Sequence, residues 1–544
     1  MSTPAPRRRV PHRPTPRAAT FLLALATAVL PTATAATAAT TATVATTATA
    51  TPATTTETRP RPTTTETRPR PTTTHYLDCT SGNDTSNGTS VRTPWRTLAK
   101  ASTAYRPGDR LLLKRGTTCT GTLAPTGNGT PTSPIRLDAY GTGAKPHIEG
   151  AGARAALLLR NSQGWEIRNL DLSNTGPAPT PEQRRAGLLV LLTDFGVGRH
   201  YVVGHVDVHD VNGSDHKDPD PSGGILFVVQ GDRTPTRFDG IRIEDSTVKH
   251  VDRTGIGTMS TWGRRTAYPD GPGTSFEPLT GVRIQRNDVR DVGGDAIVTH
   301  NADGARVEHN YVNGFNMRSA GYNAGVWSWN SDNVLTQYNE VTGGHGTRDS
   351  EAFDIDGGNT DNVFQYNYSH DNEGGFLLVC NGAGMTSKGN KVRHNISIND
   401  RNTEAPYGVV AVVCGPTTDT QVHHNTIVTK HPHTRMVSNN GQTGTTFRNN
   451  VFVGAPTPTG SPTVDTLSTF SGNLYLNTAQ PRDPYAVNAD PLFSVPAPAT
   501  PGDVRLKPGS PARGAGTPEA DGVTRDYFGN RIPNPPHLGA YQGR

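Results

Sequence analysis

A short motif that keeps returning constrains this chain more than any other feature. An apolar residue (once a threonine) is followed by two variable residues and an asparagine: Ile284-Gln-Arg-Asn287, Val307-Glu-His-Asn310, Thr336-Gln-Tyr-Asn339, Phe364-Gln-Tyr-Asn367, Val392-Arg-His-Asn395, Val422-His-His-Asn425 and Phe447-Arg-Asn-Asn450. Successive asparagines lie 23, 29, 28, 28, 30 and 25 residues apart. Ile243-Glu-Asp-Ser246 fits one step earlier, and weaker copies run from Ile167 to Leu172 and from Val203 to Val208. Each unit carries a second apolar run: Ala296 to Asn301, Gly325 to Asn330, Ala352 to Gly357, Gly375 to Cys380 and Val409 to Cys414. A unit with two or three short strands cannot bury its own apolar face, but stacked units share one core. The pattern predicts an all-β fold, a single right-handed parallel β-helix. A fixed asparagine in each coil lets side-chain amides hydrogen-bond up and down the stack. A β-propeller needs units of roughly 40 residues, and a leucine-rich repeat needs helix signals that are missing here.

Composition agrees. Gly (59) and Pro (44) make up roughly a fifth of the 544 residues, which disfavours a helix bundle and supplies turns for many short strands. The net charge of +5 is misleading. Residues 1–74 hold nine Arg, no Lys and two Glu, so the remainder carries −2. A nearly neutral body does not suit nucleic acid.

Arg7, Arg8, Arg9, Arg13 and Arg17 precede the apolar run Phe21 to Ala26, and Ala33-Thr34-Ala35 follows. A basic start, a short apolar stretch and an A-x-A site predict a cleaved secretory signal peptide over residues 1–35. The run is interrupted by Pro31 and is short for a membrane span. Residues 36–74 are almost all Thr, Ala, Pro and Arg, with TTTETRPRP repeated from Thr54 and from Thr63. They read as an extended linker. The expected product is secreted, extracellular and monomeric, with no membrane contact after cleavage.

The body resembles the secreted right-handed β-helix proteins of the pectate-lyase-like superfamily. The resemblance rests on His75-Tyr-Leu-Asp78, Gly82-Asn-Asp84, Thr93-Pro-Trp-Arg-Thr-Leu98, Pro107-Gly-Asp-Arg110 and Pro134 to Tyr140 near the start. Near the end it rests on Asp490-Pro-Leu-Phe493, Leu506 to Pro511 and Leu538-Gly-Ala-Tyr541. It implies a cap with the first coils over 75–150, the helix proper over 151–480 and a closing segment over 481–544. The superfamily holds lyases, hydrolases, epimerases and binding proteins, so fold alone does not give activity. Cys380 and Cys414 fall at the same place in adjacent coils, and Cys79 and Cys119 share the cap region. An exported chain with no C-x-x-C therefore predicts disulfides 79–119 and 380–414.

Side chains alternate across a strand. Aligning the runs turns Ile297, Val326, Phe353, Phe376 and Val410 inward, with Thr299, Ser328, Ile355, Leu378 and Val412 two residues on. The outward columns then read Val298, Trp327, Asp354, Leu377, Ala411 and His300, Trp329, Asp356, Val379, Val413. They gather His300, Trp327, Trp329, Asp354 and Asp356 on three successive coils. Asp354 and Asp356, with Cα atoms about 6.7 Å apart, predict an acid/base pair of the kind that cleaves glycosidic bonds. Exposed Trp327 and Trp329 offer flat surfaces for sugar rings. The alternative is two solvated aspartates or a structural Ca²⁺ site.

Asp349, Glu351, Asp371 and Glu373 lie in flanking turns, and Asp295 lies in Gly294-Asp-Ala296. Glu351 and Glu373 are substitute catalytic partners. Gly344-His345-Gly346 beside aspartates resembles polygalacturonase-like hydrolases, although here the histidine precedes the paired aspartates. His345 and Arg348 are therefore candidate substrate-binding residues, with His300 and the two tryptophans. The leading expectation is a polysaccharide-active glycoside hydrolase that needs no cofactor. A uronate lyase is the second reading. It would use Ca²⁺ and, since no lysine falls in the outward columns, an arginine such as Arg348 or Arg318. The loop Asp215-His-Lys-Asp218-Pro-Asp220 has oxygen ligands for Ca²⁺ but reads first as solvated loop. A non-catalytic glycan-binding or cell-wall protein is the third reading.

Overall fold

The computed structural model describes residues 71–544 apart from 218, 347, 383, 403, 405, 458 and 459. The expected signal peptide and nearly all of the expected linker lie outside the described residues. The chain forms a right-handed parallel β-helix. Three long parallel sheets of sixteen, fourteen and eleven strands run its length. Among the described residues the one α-helix is the single turn Leu98–Ala101 in the cap, opened by the Thr97 hydroxyl accepting from the Lys100 N–H.

The asparagines form a continuous ladder. Asn310 Oδ1 accepts both the backbone N–H and the side-chain amide of Asn287, each at 3.0 Å. Asn310 Nδ2 donates in turn to Ile284 O at 2.9 Å and to Asn339 Oδ1 at 3.0 Å. The pattern passes through Asn367, Asn395, Asn425 and Asn450 and reaches Asn473, one rung past the last motif recognised in the sequence. Ser246 starts it by donating its N–H to Asn287 Oδ1, and Asp483 ends it by accepting from Asn473. The preceding residue turns the corner at left-handed φ, as at Tyr338 (55°) and His394 (52°). That corner directs the asparagine N–H into the core, where only the next coil can accept it.

One register expectation is corrected. Phe353 pairs with Leu377, not Phe376, and Leu377 with Val410. Leu377 and Val379 therefore point inward, while Leu378 and Cys380 point outward. A one-residue slip inverts every side chain. The extra residue is Phe376, just after Gly375 at φ 108°: the Phe376 and Leu377 N–H groups both donate to Val409 O, at 2.7 and 3.1 Å. Both disulfides form as expected, with Cα separations of 5.4 Å for Cys79–Cys119 and 5.0 Å for Cys380–Cys414. Cys380 is opposite Val413, so Cys414 reaches it from just past the strand.

Candidate active site

The strand runs around Val326–Trp329 and Phe353–Ile355 sit side by side, with Trp327 opposite Asp354 and His300 opposite Trp329. His300, Trp327, Trp329, Asp354 and Asp356 are brought together as the alternation required. They are not laid open on a surface, however. Trp327 and Asp354 are each 4% exposed, and His300 is buried. The outward face upstream is itself apolar. Leu189, Leu226, Met259 and Val298 form a layer that Trp327 joins and Trp329 packs against. Loops then fold over the tryptophans. Lys217 Nζ lies 4.6 Å from the Trp327 ring centre, and the Tyr268 ring meets Trp329 edge-on at 5.7 Å. The expectation of exposure is thus corrected for Trp327, Asp354 and His300, because loop packing had no periodic signal to follow, while Trp329 and Asp356 stay partly accessible.

What remains open is a pocket of about 440 Å³. Its walls include Trp327, Trp329, Asp349, Asp354, Asp356 and Tyr407. Lys217, Tyr322 and the Cys380–Cys414 disulfide complete the rim. Asp295, fully buried beneath, orients the wall. It accepts the Trp327 indole N–H and the Ala324 N–H, both at 3.0 Å, and pairs with Arg253 at 2.5 Å.

Three aspartates share this pocket in unlike surroundings. Asp349 is buried and accepts the Asn323 N–H at 2.9 Å. Burial pushes its carboxyl up to about 7, with the charges of Asp295 and Asp356 adding to the rise, while the Asn323 N–H and Lys217 oppose it. Asp354 is held well above the ordinary carboxylate range, first by burial and then by Asp356, Asp349 and Glu351. Its Oδ1 has no hydrogen-bond partner among the described residues. Asp356 is half-buried and accepts the Gly357 N–H at 2.6 Å.

Several expected site residues lie elsewhere. Glu373 pairs with His345 at 2.7 Å and with Arg401 at 2.9 Å, a surface cluster that does not line the pocket. Arg348 stacks over Tyr322, behind the rim, at 4.6 Å. Arg318 is held by Asp252 and Asp291. Glu351 is fully buried behind the pocket, with neither carboxyl oxygen hydrogen-bonded among the described residues, and burial raises it well above its usual range. The loop from Asp215 to Asp220 reads in the sequence first as solvated, with calcium as the alternative; among its described residues Asp215 accepts from Ser319 at 2.9 Å, and Asp220 pairs with Arg154. It also delivers Lys217, whose Nζ donates to Tyr322 O at 2.7 Å. Lys217 was missed as a pocket residue because it arrives from a loop some hundred residues earlier in the chain. Asp349 was read only as a flanking turn residue.

Fold and site together define a right-handed parallel β-helix protein with a pocket walled by tryptophans and aspartates. No protein-family model matches the chain. Among curated proteins it is similar to a lacto-N-biosidase of Bifidobacterium longum subsp. longum, at 26% identity over 86% of this chain and 36% of that protein. The chain thus spans about a third of the length of the curated relative it matches. Among solved structures it is similar to the GH136 lacto-N-biosidase of Eubacterium ramulus, with TM-score 0.60 and 22% identity over 73% of this chain and 67% of that one. XylC in complex with xylose superposes with TM-score 0.50 and 12% identity, covering 86% and 98%. These structural likenesses establish the fold.

Proposed function

We propose that this chain is a secreted glycoside hydrolase of the lacto-N-biosidase kind, in which Asp349 is the general acid and Asp356 the carboxylate that attacks the sugar or activates water. The observation that carries the reading is that these two carboxyls face one pocket in unlike surroundings, Asp349 buried and Asp356 partly open. Glycosidic cleavage needs an acid that still holds its proton near neutral pH and a partner beside it that does not. Asp349, raised to about 7, suits the first role. Asp356, open to the pocket and steadied by the Gly357 N–H, suits the second. Asp354, buried between its neighbours, is pushed well above the ordinary carboxylate range by burial and by Asp356, Asp349 and Glu351. The sequence similarity to a lacto-N-biosidase supports the same class. Trp327 and Trp329 supply the platform for a sugar ring. A pocket of about 440 Å³ lies within the roughly 300–1,000 Å³ range of small-ligand sites, which favours a glycan end or a short oligosaccharide over the middle of a long polymer. Two disulfides among the described residues suit an exported protein.

Lys217 gives the lyase reading a basic group inside the pocket. One screen separates the two readings. The protein is incubated with host, plant and microbial glycans, and new reducing ends are read together with ultraviolet absorbance. The hydrolase produces reducing ends without new absorbance. An unsaturated, absorbing product would replace the proposal with a lyase, and binding without new ends would replace it with a glycan-binding protein.

A further inference from the structure

Away from the pocket, the C-terminal segment crosses the ladder corners over a cluster of histidines. His394 and His424 occupy the same corner on successive coils, with their rings stacked 5.0 Å apart. His423, the last residue of strand Thr420–His423, meets His424 edge-on, and their Nδ1 atoms face each other at 3.0 Å. Glu519 and Asp521 come in from the C-terminal segment, and with the three histidines they border a cavity of about 100 Å³. All three histidines are buried. His424 Nε2 and His394 Nδ1 have no hydrogen-bond partner among the described residues. Buried polar atoms left unpaired beside a polar cavity point to an occupant.

We propose that His423, His424 and Glu519 bind a divalent transition metal of the zinc class. One ligand atom from each lies within 4.8 Å of the others, a spread that one ion can bridge with bonds of about 2.0–2.2 Å after small side-chain adjustments. Two imidazoles and a carboxylate, with water in the remaining position, suit zinc. Calcium takes oxygen ligands and does not match. The surroundings fix the donors: Glu519 is held by Arg448 at 2.8 Å and Asn449 at 3.1 Å, and Asp521, paired with Arg393 at 2.7 Å, lies 3.2 Å from His423 Nε2. The ion fastens the closing segment to coils laid down much earlier in the chain. A second group, His147, Asp171 and His209, has comparable spacing. There, however, Asp171 already faces His209 at 2.9 Å and His147 bonds Ser173 at 2.8 Å, so it serves as the control.

The test uses the full chain, stripped of metal and titrated with Co²⁺ and then Zn²⁺. The expected result is one Co²⁺ per chain, visible by its absorption and displaced by Zn²⁺, with a rise in Tm on zinc addition. His424→Ala and Glu519→Gln should each weaken binding by about tenfold or more, as loss of a ligand does, and His209→Ala should leave it unchanged. Absence of bound ion in the wild type, unchanged affinity in both variants, or loss only in His209→Ala overturns the site. If the variants misfold, zinc anomalous diffraction from wild-type crystals decides. A peak among His423, His424 and Glu519 supports the site, and no peak there rejects it.

Discussion

Asp295 accepts the indole N–H of Trp327 at 3.0 Å from directly beneath the pocket wall. The bond fixes the face that this tryptophan offers to a ligand, and Arg253, held at 2.5 Å, balances the buried charge. Trp327→Phe keeps most of the packing but loses the N–H. It should raise KM for the glycan by about 5- to 10-fold while changing kcat less, the signature of lost binding rather than lost chemistry. Steady-state kinetics check it. A fall in kcat with KM unchanged would place Trp327 in the chemical step.

The acid role of Asp349 has a pH signature. Its carboxyl, raised to about 7, must be protonated to donate, so kcat/KM should fall as pH rises through about 7. A pH–rate profile measures this. Activity that climbs steadily to pH 9 would remove Asp349 from the acid role.

Glu351 supplies a stability test free of chemistry. Burial, with Asp349 nearby, raises its folded pKa well above the ordinary glutamate value of 4.5. The folded chain therefore keeps a proton that the unfolded chain gives up above pH 4.5, and the stability tied to this group falls as pH rises from there toward the folded pKa. Gln does not titrate. The Tm of Glu351→Gln relative to wild type should therefore move in favour of the variant between pH 5 and pH 8, as read by thermal melts across that range. A constant difference would show that Glu351 is not held protonated.

The ladder predicts a large cost for a small change. Asn339 Oδ1 accepts two hydrogen bonds from Asn310, and its amide donates to Val307 O and to Asn367. Asn339→Ala leaves buried partners unpaired at about 1–3 kcal/mol each, so a total loss of about 3 kcal/mol or more is expected in denaturant unfolding. A loss below about 1 kcal/mol would mean that water replaces the amide.

The Cys380–Cys414 disulfide borders the pocket as well as joining coils. Replacing both with Ser should cost about 2–4 kcal/mol and loosen the wall, so Tm and glycan affinity should fall together. Unchanged affinity with a lower Tm would confine the bridge to a structural role.

The coil stack was legible in the sequence because its determinant repeats. An asparagine about every 28 residues marks a corner whose N–H has no other acceptor, and the inward columns follow from period-two alternation. The outward cluster of His300, Trp327, Trp329, Asp354 and Asp356 was legible for the same reason. What covers it was not. Lys217, Tyr322 and Tyr407 come from turns of unequal length that carry no period, so their convergence is set by tertiary packing. The slip at Phe376 has the same origin, since one extra residue after a glycine turn leaves the apolar run undisturbed. Asp349 stood in the sequence as one acid among several. Only its burial beside Asn323 separates it from Glu373, which looks similar in sequence but is spent on His345 and Arg401.

The division of labour between Asp349 and Asp356 is tested most directly by varying how much the leaving group needs a proton. Asp349→Asn and Asp356→Asn are each assayed on a glycan whose leaving group is a sugar alcohol and on the matching nitrophenyl glycoside, whose leaving group departs unprotonated. Both variants should lose at least about 100-fold on the glycan. On the nitrophenyl glycoside, Asp349→Asn should recover most of its rate, because no acid is required, while Asp356→Asn should stay impaired. Equal losses for Asp349→Asn on both substrates, or near-wild-type turnover for either variant on the glycan, would contradict the assignment.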